Sequence, residues 1–262
     1  MKDVALSHLL DIARCAAEAA GKHALANKHR RKETNETFAH DIKLVLDVEC
    51  QTVAEAVIAA EFPNHNVLGE EGSRHEHISN YEWVIDPIDG SLNYSHGFPY
   101  WCASVAVRHH EKVVAGCIFA PEFGKYFTAH REGPAQLNGE PIRVADTRQL
   151  ADSLIFSGLS KNLQSGNPAH FDLVQKLAVS TRKIRVNGAA ALDLCHVAEG
   201  AGDGYVEPGI HLWDYAAAGL IAEQAGATLE VFPRSDLPET YGVLCTNEHL
   251  FNPLRAIYTR YF

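Results

Sequence analysis

Apolar residues recur every three to four positions near the start of the chain, a spacing that predicts an amphipathic helix. Its apolar positions run from Leu6 to Ala20, with Gly21 placed to weaken its end. A second helix is predicted over residues 48–60 because Pro63 disfavours helical backbone just before it. The charged stretch between the two helices, residues 27–36, is predicted to be a solvated loop.

Beyond Pro63 the pattern changes to short, strand-like apolar runs. Strands are predicted at 83–85, 105–107, 113–119 and 125–129, and Asn138-Gly139 indicates a hairpin turn. The second half alternates between the two types, with strands at 154–156, 184–186, 204–206 and 228–232 and helices at 171–179, 189–198, 213–225 and 250–261. The pattern therefore predicts an α+β lobe over residues 1–147 and an α/β lobe over residues 148–262.

Composition narrows the function. The 262-residue chain has a formal net charge of -10, which argues against a nucleic-acid-binding surface because such a surface needs a basic footprint. The six cysteines are scattered without a CxxC pair, which favours buried thiols in a reducing compartment, and the fifteen histidines are interpreted as surface residues. No apolar run suits a signal peptide or a membrane span, so a cytoplasmic protein is expected.

Acidic residues stand where apolar segments end or begin, as ligand-binding residues do in open α/β sheets. Each alone is ordinary, since such acids are common in turns, helix caps and solvated loops. Together they favour a cation site, because charges at such edges are costly unless they are paired or coordinate a metal. Oxygen ligands without a His/Cys cluster favour Mg²⁺ over zinc. The acids are Asp47, the pair Glu70-Glu71, the pair Asp86 and Asp89, and Asp214.

Two longer motifs contain Asp86, Asp89 and Asp214. The first is Trp83-Val84-Ile85-Asp86-Pro87-Ile88-Asp89-Gly90-Ser91-Leu92-Asn93-Tyr94, followed by Gly97-Phe98-Pro99. The second is Trp213-Asp214-Tyr215-Ala216-Ala217 continuing to Glu223-Gln224-Ala225-Gly226. Both motifs resemble the signatures of the inositol monophosphatase family. The segments 69–72 and 188–195 are similar to two further parts of that family, so the resemblance spans nearly the whole chain.

The resemblance implies a layered αβαβα sandwich of the inositol monophosphatase/fructose-1,6-bisphosphatase type, a homodimer, inhibition by lithium and a small phosphorylated metabolite as substrate. It implies metal binding by Glu70, Asp86, Asp89, Asp214 and the Ile88 carbonyl. It places Asp47 and Ser91 beside the attacking water. It also implies substrate contacts from Gly90, Ser91, Ala190, Glu207, His211 and Asp214.

The reaction implied is hydrolysis of a phosphate monoester, with two or three Mg²⁺ ions and no covalent intermediate. Inositol monophosphate is the expected substrate. The alternatives are fructose 1,6-bisphosphate, histidinol phosphate, 3′-phosphoadenosine 5′-phosphate, or no catalysis in a regulatory protein.

One departure from the family lies before Asp47, where a family lysine position falls on Glu36. An extended 41–47 segment would put Lys43 and Asp47 on one face, so Lys43 is predicted to supply the missing positive charge.

Overall fold

Helices and strands occupy most of the chain. The structure, a computed structural model, describes residues 4–37, 42–72, 74–75, 77–159 and 168–262. The helices of these ranges are α1 (Leu6–Ala26), α2 (Val45–Glu61), α3 (Ser91–His96), α4 (Ala169–Ser180), α5 (Ala190–Ala198), α6 (Leu212–Gln224) and α7 (Glu248–Tyr258). The strands are β1 (Thr34–Thr37), β2 (Ile42–Leu44), β3 (Asn66–Gly69), β4 (Arg74–His75), β5 (Tyr81–Asp89), β6 (Cys102–His109), β7 (Lys112–Ala120), β8 (Lys125–His130), β9 (Gln136–Leu137), β10 (Glu140–Pro141), β11 (Leu154–Ser157), β12 (Lys183–Arg185), β13 (Gly204–Ile210), β14 (Thr228–Pro233) and β15 (Tyr241–Thr246).

The first large sheet has eight strands in the order β10-β9-β8-β7-β6-β5-β3-β4. Its neighbours are antiparallel except β3 and β5, which run parallel with Gly69 opposite Ile85. The strands β5 to β8, which were predicted from their apolar runs, form an antiparallel meander. The parallel pair brings the residues that follow Gly69 and Ile85 to the same edge of the sheet.

The second large sheet has five strands in the order β12-β11-β13-β15-β14. Strand β11 runs parallel to β12 and β13, whereas β15 is antiparallel to both of its neighbours. The sheet therefore mixes parallel crossovers with a returning strand. All of its strands follow residue 153, while those of the first sheet lie between residues 66 and 141. The division into lobes at residue 147 stays a prediction.

Helices separate and cover the two sheets. Helices α1 and α2 pack on the outer face of the eight-stranded sheet, α5 and α6 lie between the sheets, and α4 and α7 pack beyond the five-stranded sheet. Each interface buries its own apolar cluster, around Trp83 and Trp101, Tyr205 and Leu220, and Leu173 and Tyr258 respectively. The predicted αβαβα sandwich is confirmed.

A close contact joins the middle helices to the first sheet. Gly116 on β7 faces Ala217 on α6, and a Cβ at Gly116 would lie 2.9 Å from the Ala217 Cα. Both neighbours are small, so the helix rests against the strand backbone.

Several predicted elements differ from the structure. Helix α1 continues through Gly21 to Ala26, because Gly21 packs beneath Phe119 with no room for a side chain. Strand β1 lies at the end of the predicted solvated loop, and β15 was not predicted at all. Residues Ile42–Leu44 are extended as predicted, but the extended conformation assumed for residues 45–47 is wrong, because helix α2 begins at Val45 and holds Asp47 in its first turn. Residue 41 lies outside the described residues. None of the helices in the described ranges is both long and apolar enough to cross a membrane.

Candidate active site

Two acidic residues meet at the parallel pair of strands in the first sheet. Glu70 follows β3 directly, and its backbone N–H donates to the Ile85 carbonyl of β5 at 3.1 Å. Asp86 is the next residue of β5, so the register of the pair sets Glu70 beside Asp86. The two carboxyl groups are in hydrogen-bond contact.

Asp89 lies three residues further along β5, after an irregularity in its pairing with β6. Its carboxylate accepts from the backbone N–H of Ala190 at 3.2 Å and of Ala191 at 2.9 Å, at the start of helix α5. The buried Cys102 thiol donates to the same carboxylate at 3.6 Å. Asp89 therefore links the first sheet to the middle layer.

Asp214 lies in the first turn of helix α6, where its Oδ2 accepts from the His211 N–H at 2.7 Å. The helix-cap interpretation of this acid is thus correct for one oxygen. It does not exclude a metal site, because a carboxylate offers several lone pairs. One oxygen each of Asp86, Asp89 and Asp214 lies within 4.8 Å of the others.

Burial and mutual repulsion disfavour the charged forms of these acids. Burial raises the pKa of Asp86 well above its ordinary value, and the charges of Glu70 and Asp89 raise it further. Burial and the charge of Asp214 raise the pKa of Asp89, against the lowering effect of the Ala191 N–H. Carboxyl groups in such a place either retain protons or share a cation.

The donor set fits a hard divalent cation. The three clustered side chains offer oxygen atoms, and Glu70 adds another at the edge of the group. Oxygen ligands of this kind suit Mg²⁺. A bound cation would replace the protons that burial otherwise favours.

A cavity of about 240 Å³ opens onto this cluster. Its lining includes every predicted site residue except Lys43 and Asp47: Glu70, Asp86, Ile88, Asp89, Gly90, Ser91, Ala190, Glu207, His211 and Asp214. The structure thus brings together residues from both large sheets and the middle helices.

The turn after Asp89 is fixed by its own hydrogen bonds. Gly90 adopts a left-handed φ of 88°, and a Cβ there would meet the Tyr100 carbonyl at 3.0 Å. The Ser91 hydroxyl donates to the Ile88 carbonyl at 2.8 Å. The Ser91 hydroxyl was predicted to lie beside the attacking water and the Ile88 carbonyl to bind metal, and the two groups are hydrogen-bonded to each other.

Another part of the cavity lining includes Glu207 and His211, which were predicted to contact the substrate. Glu207 is buried on β13 and accepts a hydrogen bond from the Tyr205 hydroxyl. It packs so closely on Gly158 that a side chain there would collide with it. His211 stacks on Trp213 with ring centroids 4.8 Å apart, and its Nδ1 contacts the Glu239 carbonyl at 3.1 Å.

Asp47 and Lys43 lie outside this lining, as far as the structure describes it. Asp47 is buried in the first turn of α2, where its Oδ2 accepts from the Leu44 N–H at 2.8 Å. Lys43 lies 3.7 Å from the carboxylate of Glu71, next in sequence to Glu70. Its predicted role beside the metal stays a prediction, although the geometry assumed for it is wrong.

Sequence reasoning missed part of the wall. Gly158 and Leu159 follow the carboxyl end of β11, a strand with two parallel partners, so the position of that strand end was the available signal. Asp193 also lines the cavity, and its signal was a single acid inside the apolar run of α5. It accepts hydrogen bonds from the Tyr100 hydroxyl and, at 2.7 Å, from the Asn187 amide.

A layered α/β fold with an acidic, oxygen-rich cavity between its sheets defines a candidate metal-dependent enzyme. The sequence model of the Inositol monophosphatase family matches residues 5–259, and the chain belongs to that family.

Relatives and solved structures agree with this assignment. "Nus factor SuhB" of Vibrio cholerae is 33% identical over 227 residues, covering 86% of this chain and 85% of its own. "Inositol monophosphatase" of Dictyostelium discoideum is 33% identical over 270 residues, covering 98% and 97%. The crystal structure of extragenic suppressor protein suhB from Bartonella henselae superposes with a TM-score of 0.90 at 26% identity, covering 97% of this chain and 100% of that one.

Proposed function

We propose that this protein is a Mg²⁺-dependent phosphatase that hydrolyses a small phosphate monoester. The observation that supports this most directly is the convergence of Asp86, Asp89 and Asp214 within 4.8 Å inside the cavity. These acids come from a strand and a helix far apart in sequence. Each is buried, which is costly for a carboxylate without a cation or a proton.

The metal site in this proposal takes two or three Mg²⁺ ions. When bound, Mg²⁺ lowers the pKa of a coordinated water and offsets the charge on phosphoryl oxygens. The protein would hold it through Glu70, Asp86, Asp89, Asp214 and the Ile88 carbonyl.

The attacking water is assigned to Glu70, Asp47 and Ser91. Ser91 bonds to the Ile88 carbonyl, which fixes its oxygen at the mouth of the turn. Lys43 contributes positive charge from its place beside Glu71. Proton transfer to and from the water would be directed by these groups, and no covalent intermediate is required.

Substrate contacts are assigned to the rest of the wall. Gly90 and Ser91 hold the phosphate, where the glycine leaves room for close approach to the backbone. The alcohol would be met by Ala190, Glu207, His211 and Asp214, and myo-inositol monophosphate is the proposed substrate. Fructose 1,6-bisphosphate, histidinol phosphate and 3′-phosphoadenosine 5′-phosphate are the alternatives.

A phosphate-release assay tests the proposal. The wild-type protein should hydrolyse at least one of these four esters with Mg²⁺, lose that activity with a chelator, and be inhibited by Li⁺. Asp89→Asn should reduce kcat/KM at least about 100-fold, since it removes a ligand charge from the metal site. Asp172→Asn, at an exposed position of α4, is the matched control and should retain activity. No release from any ester, or wild-type turnover in Asp89→Asn, would refute the proposal.

The same assay distinguishes the proposed phosphatase from a second candidate function. Relatives such as the one from Vibrio cholerae bear the name Nus factor, so a regulatory protein without catalysis is the alternative. A folded protein that binds Mg²⁺ but hydrolyses none of the esters would favour it. The homodimer, the cytoplasmic location and the absence of nucleic-acid and membrane binding stay predictions.

A further inference from the structure

Three exposed aliphatic side chains surround the mouth of the active-site cavity. Nine large apolar side chains are largely exposed in the described ranges, and three of them, Leu92, Leu159 and Val186, line this one cavity. They remain 50%, 39% and 48% exposed. A single exposed aliphatic residue is ordinary, but three that converge on a ligand cavity from separate segments are not. We call these three residues the apolar rim.

The apolar rim stands on backbone that hydrogen bonds hold in place. Next to Leu92, the Asn93 side chain donates to the Tyr100 carbonyl at 2.9 Å and the Asn187 carbonyl at 2.8 Å. Asn187 follows Val186 directly, so one amide ties two of the rim segments together. Near Leu159, the Ser157 hydroxyl donates to the Val206 carbonyl at 2.7 Å. The Leu92 and Val186 segments of the rim are therefore held together by one side chain, which lowers the entropic cost of ordering them on binding.

The rest of the cavity is polar. The acids lie at its base, and Glu207, His211 and Thr240 form another part of its wall. A ligand whose phosphate lies at the acids would bring its alcohol between the polar wall and the apolar rim. Burying aliphatic surface there is favourable only if the alcohol presents apolar surface of its own.

We infer that the apolar rim binds an alkyl or aryl substituent on the alcohol, so that alkyl phosphate monoesters form a substrate class of this enzyme. The inference rests on the proposed phosphatase function. It adds a determinant that the acids cannot supply, since carboxylates offer no apolar surface to the alcohol.

A homologous series tests it. Ethyl, propyl and butyl phosphate have similar leaving groups and differ in apolar surface, so chain length isolates the rim. With Mg²⁺, kcat/KM should rise about fourfold per added methylene, or about fifteenfold from ethyl to butyl. A flat series would overturn the inference.

The double variant Leu159→Asn/Val186→Thr keeps the approximate shape of the rim and removes its apolar character. The ratio of kcat/KM for butyl to ethyl phosphate should fall toward one. Val179→Thr, an equivalent change at a 74% exposed position on α4, should leave the ratio unchanged. A ratio that persists in the double variant would overturn the inference. A flat wild-type series, together with loss of a dimer in the double variant, would also overturn it and would assign the rim to an interface with a second copy of the chain.

Binding of the non-hydrolysable ethyl and butyl phosphonates, measured by calorimetry with Mg²⁺, separates this inference from the proposed function. Tighter butyl binding that depends on the rim, without turnover of any ester, would refute the phosphatase and support the rim. Turnover of the polar esters with equal binding of both phosphonates would do the reverse.

Discussion

Replacing Asp193 by asparagine should change how the stability of this protein depends on pH. Asp193 is buried in helix α5, beside the cavity. Burial raises the pKa of its carboxyl from the ordinary 3.8 to about 6, although hydrogen bonds from Tyr100 and Asn187 act to lower it. Asparagine has a similar shape and does not titrate.

The magnitude follows from the two pKa values. Between pH 3.8 and about 6 the folded protein binds a proton at Asp193 that the unfolded chain has released. The free energy of unfolding therefore falls as pH rises through this window. At 1.4 kcal/mol per pH unit, the loss amounts to about 3 kcal/mol above pH 6 relative to its value below pH 4.

Urea unfolding of the wild type and of Asp193→Asn, at steps from pH 4.5 to 8, measures this effect. The difference in unfolding free energy between the proteins should shift in favour of the variant as pH rises and become constant above about pH 7. The asparagine amide adds an offset of its own, but that offset does not vary with pH. Stability curves that run parallel over the whole range would refute the reasoning.

Asp146→Asn provides a control with the opposite sign. The Arg148 side chain lowers the pKa of this exposed carboxyl, so its contribution is present at neutral pH and is lost as pH falls. The variant should therefore lose ground to the wild type only as pH rises through the region below about 4, by a small amount because the pair is exposed, and the two stability curves should run parallel from pH 4.5 to 8.

Three further predictions concern the site. Asp86→Asn should raise the melting temperature of the metal-free protein at pH 8, since it removes a buried charge beside Glu70; a lower melting temperature in scanning calorimetry would contradict this. Gly158→Ala should raise KM for the substrate about tenfold by pushing Glu207 out of place, and steady-state kinetics with an unchanged KM would argue against the alcohol-binding role of Glu207. Lys43→Ala should change the Mg²⁺ concentration at half-maximal turnover severalfold, because the Lys43 charge lies beside Glu71. A Mg²⁺ titration identical to that of the wild type would exclude that role.

The acids of the site were predictable because each stands out against the apolar segment that it follows. Trp83-Val84-Ile85 is an apolar strand that ends in Asp86, and Val67-Leu68 leads to Glu70 in the same way. The parallel pairing of these strands could not be read from either segment, since pairing depends on partners distant in sequence. The arrangement of the strands was expected from the resemblance to the family and not from the local sequence pattern.

Other features depended on tertiary contacts. Strand β15 lies between two strands that precede it in the chain, and its Gly242 weakens the local pattern because Tyr258 leaves no room for a side chain there. The turn from β2 into α2 at Leu44 has no glycine or proline to mark it, so the sequence predicted extended backbone as far as Asp47. The apolar rim was invisible for the same reason, because its three segments meet only in the folded protein.

The contact between Gly116 and Ala217 limits the geometry of the proposed metal site. Ala217 lies one turn after Asp214 on α6, so the depth at which this helix rests on the sheet also sets how far Asp214 reaches toward Asp86 and Asp89. Metal–ligand distances are expected to lie within about 0.2 Å of their ordinary values. A methyl group at residue 116, on a strand two places from β5 in the sheet, would meet Ala217 at 2.9 Å and shift α6 by more than that. Gly116 and Ala217 thus set the spacing between Asp214 and the two acids of β5, Asp86 and Asp89.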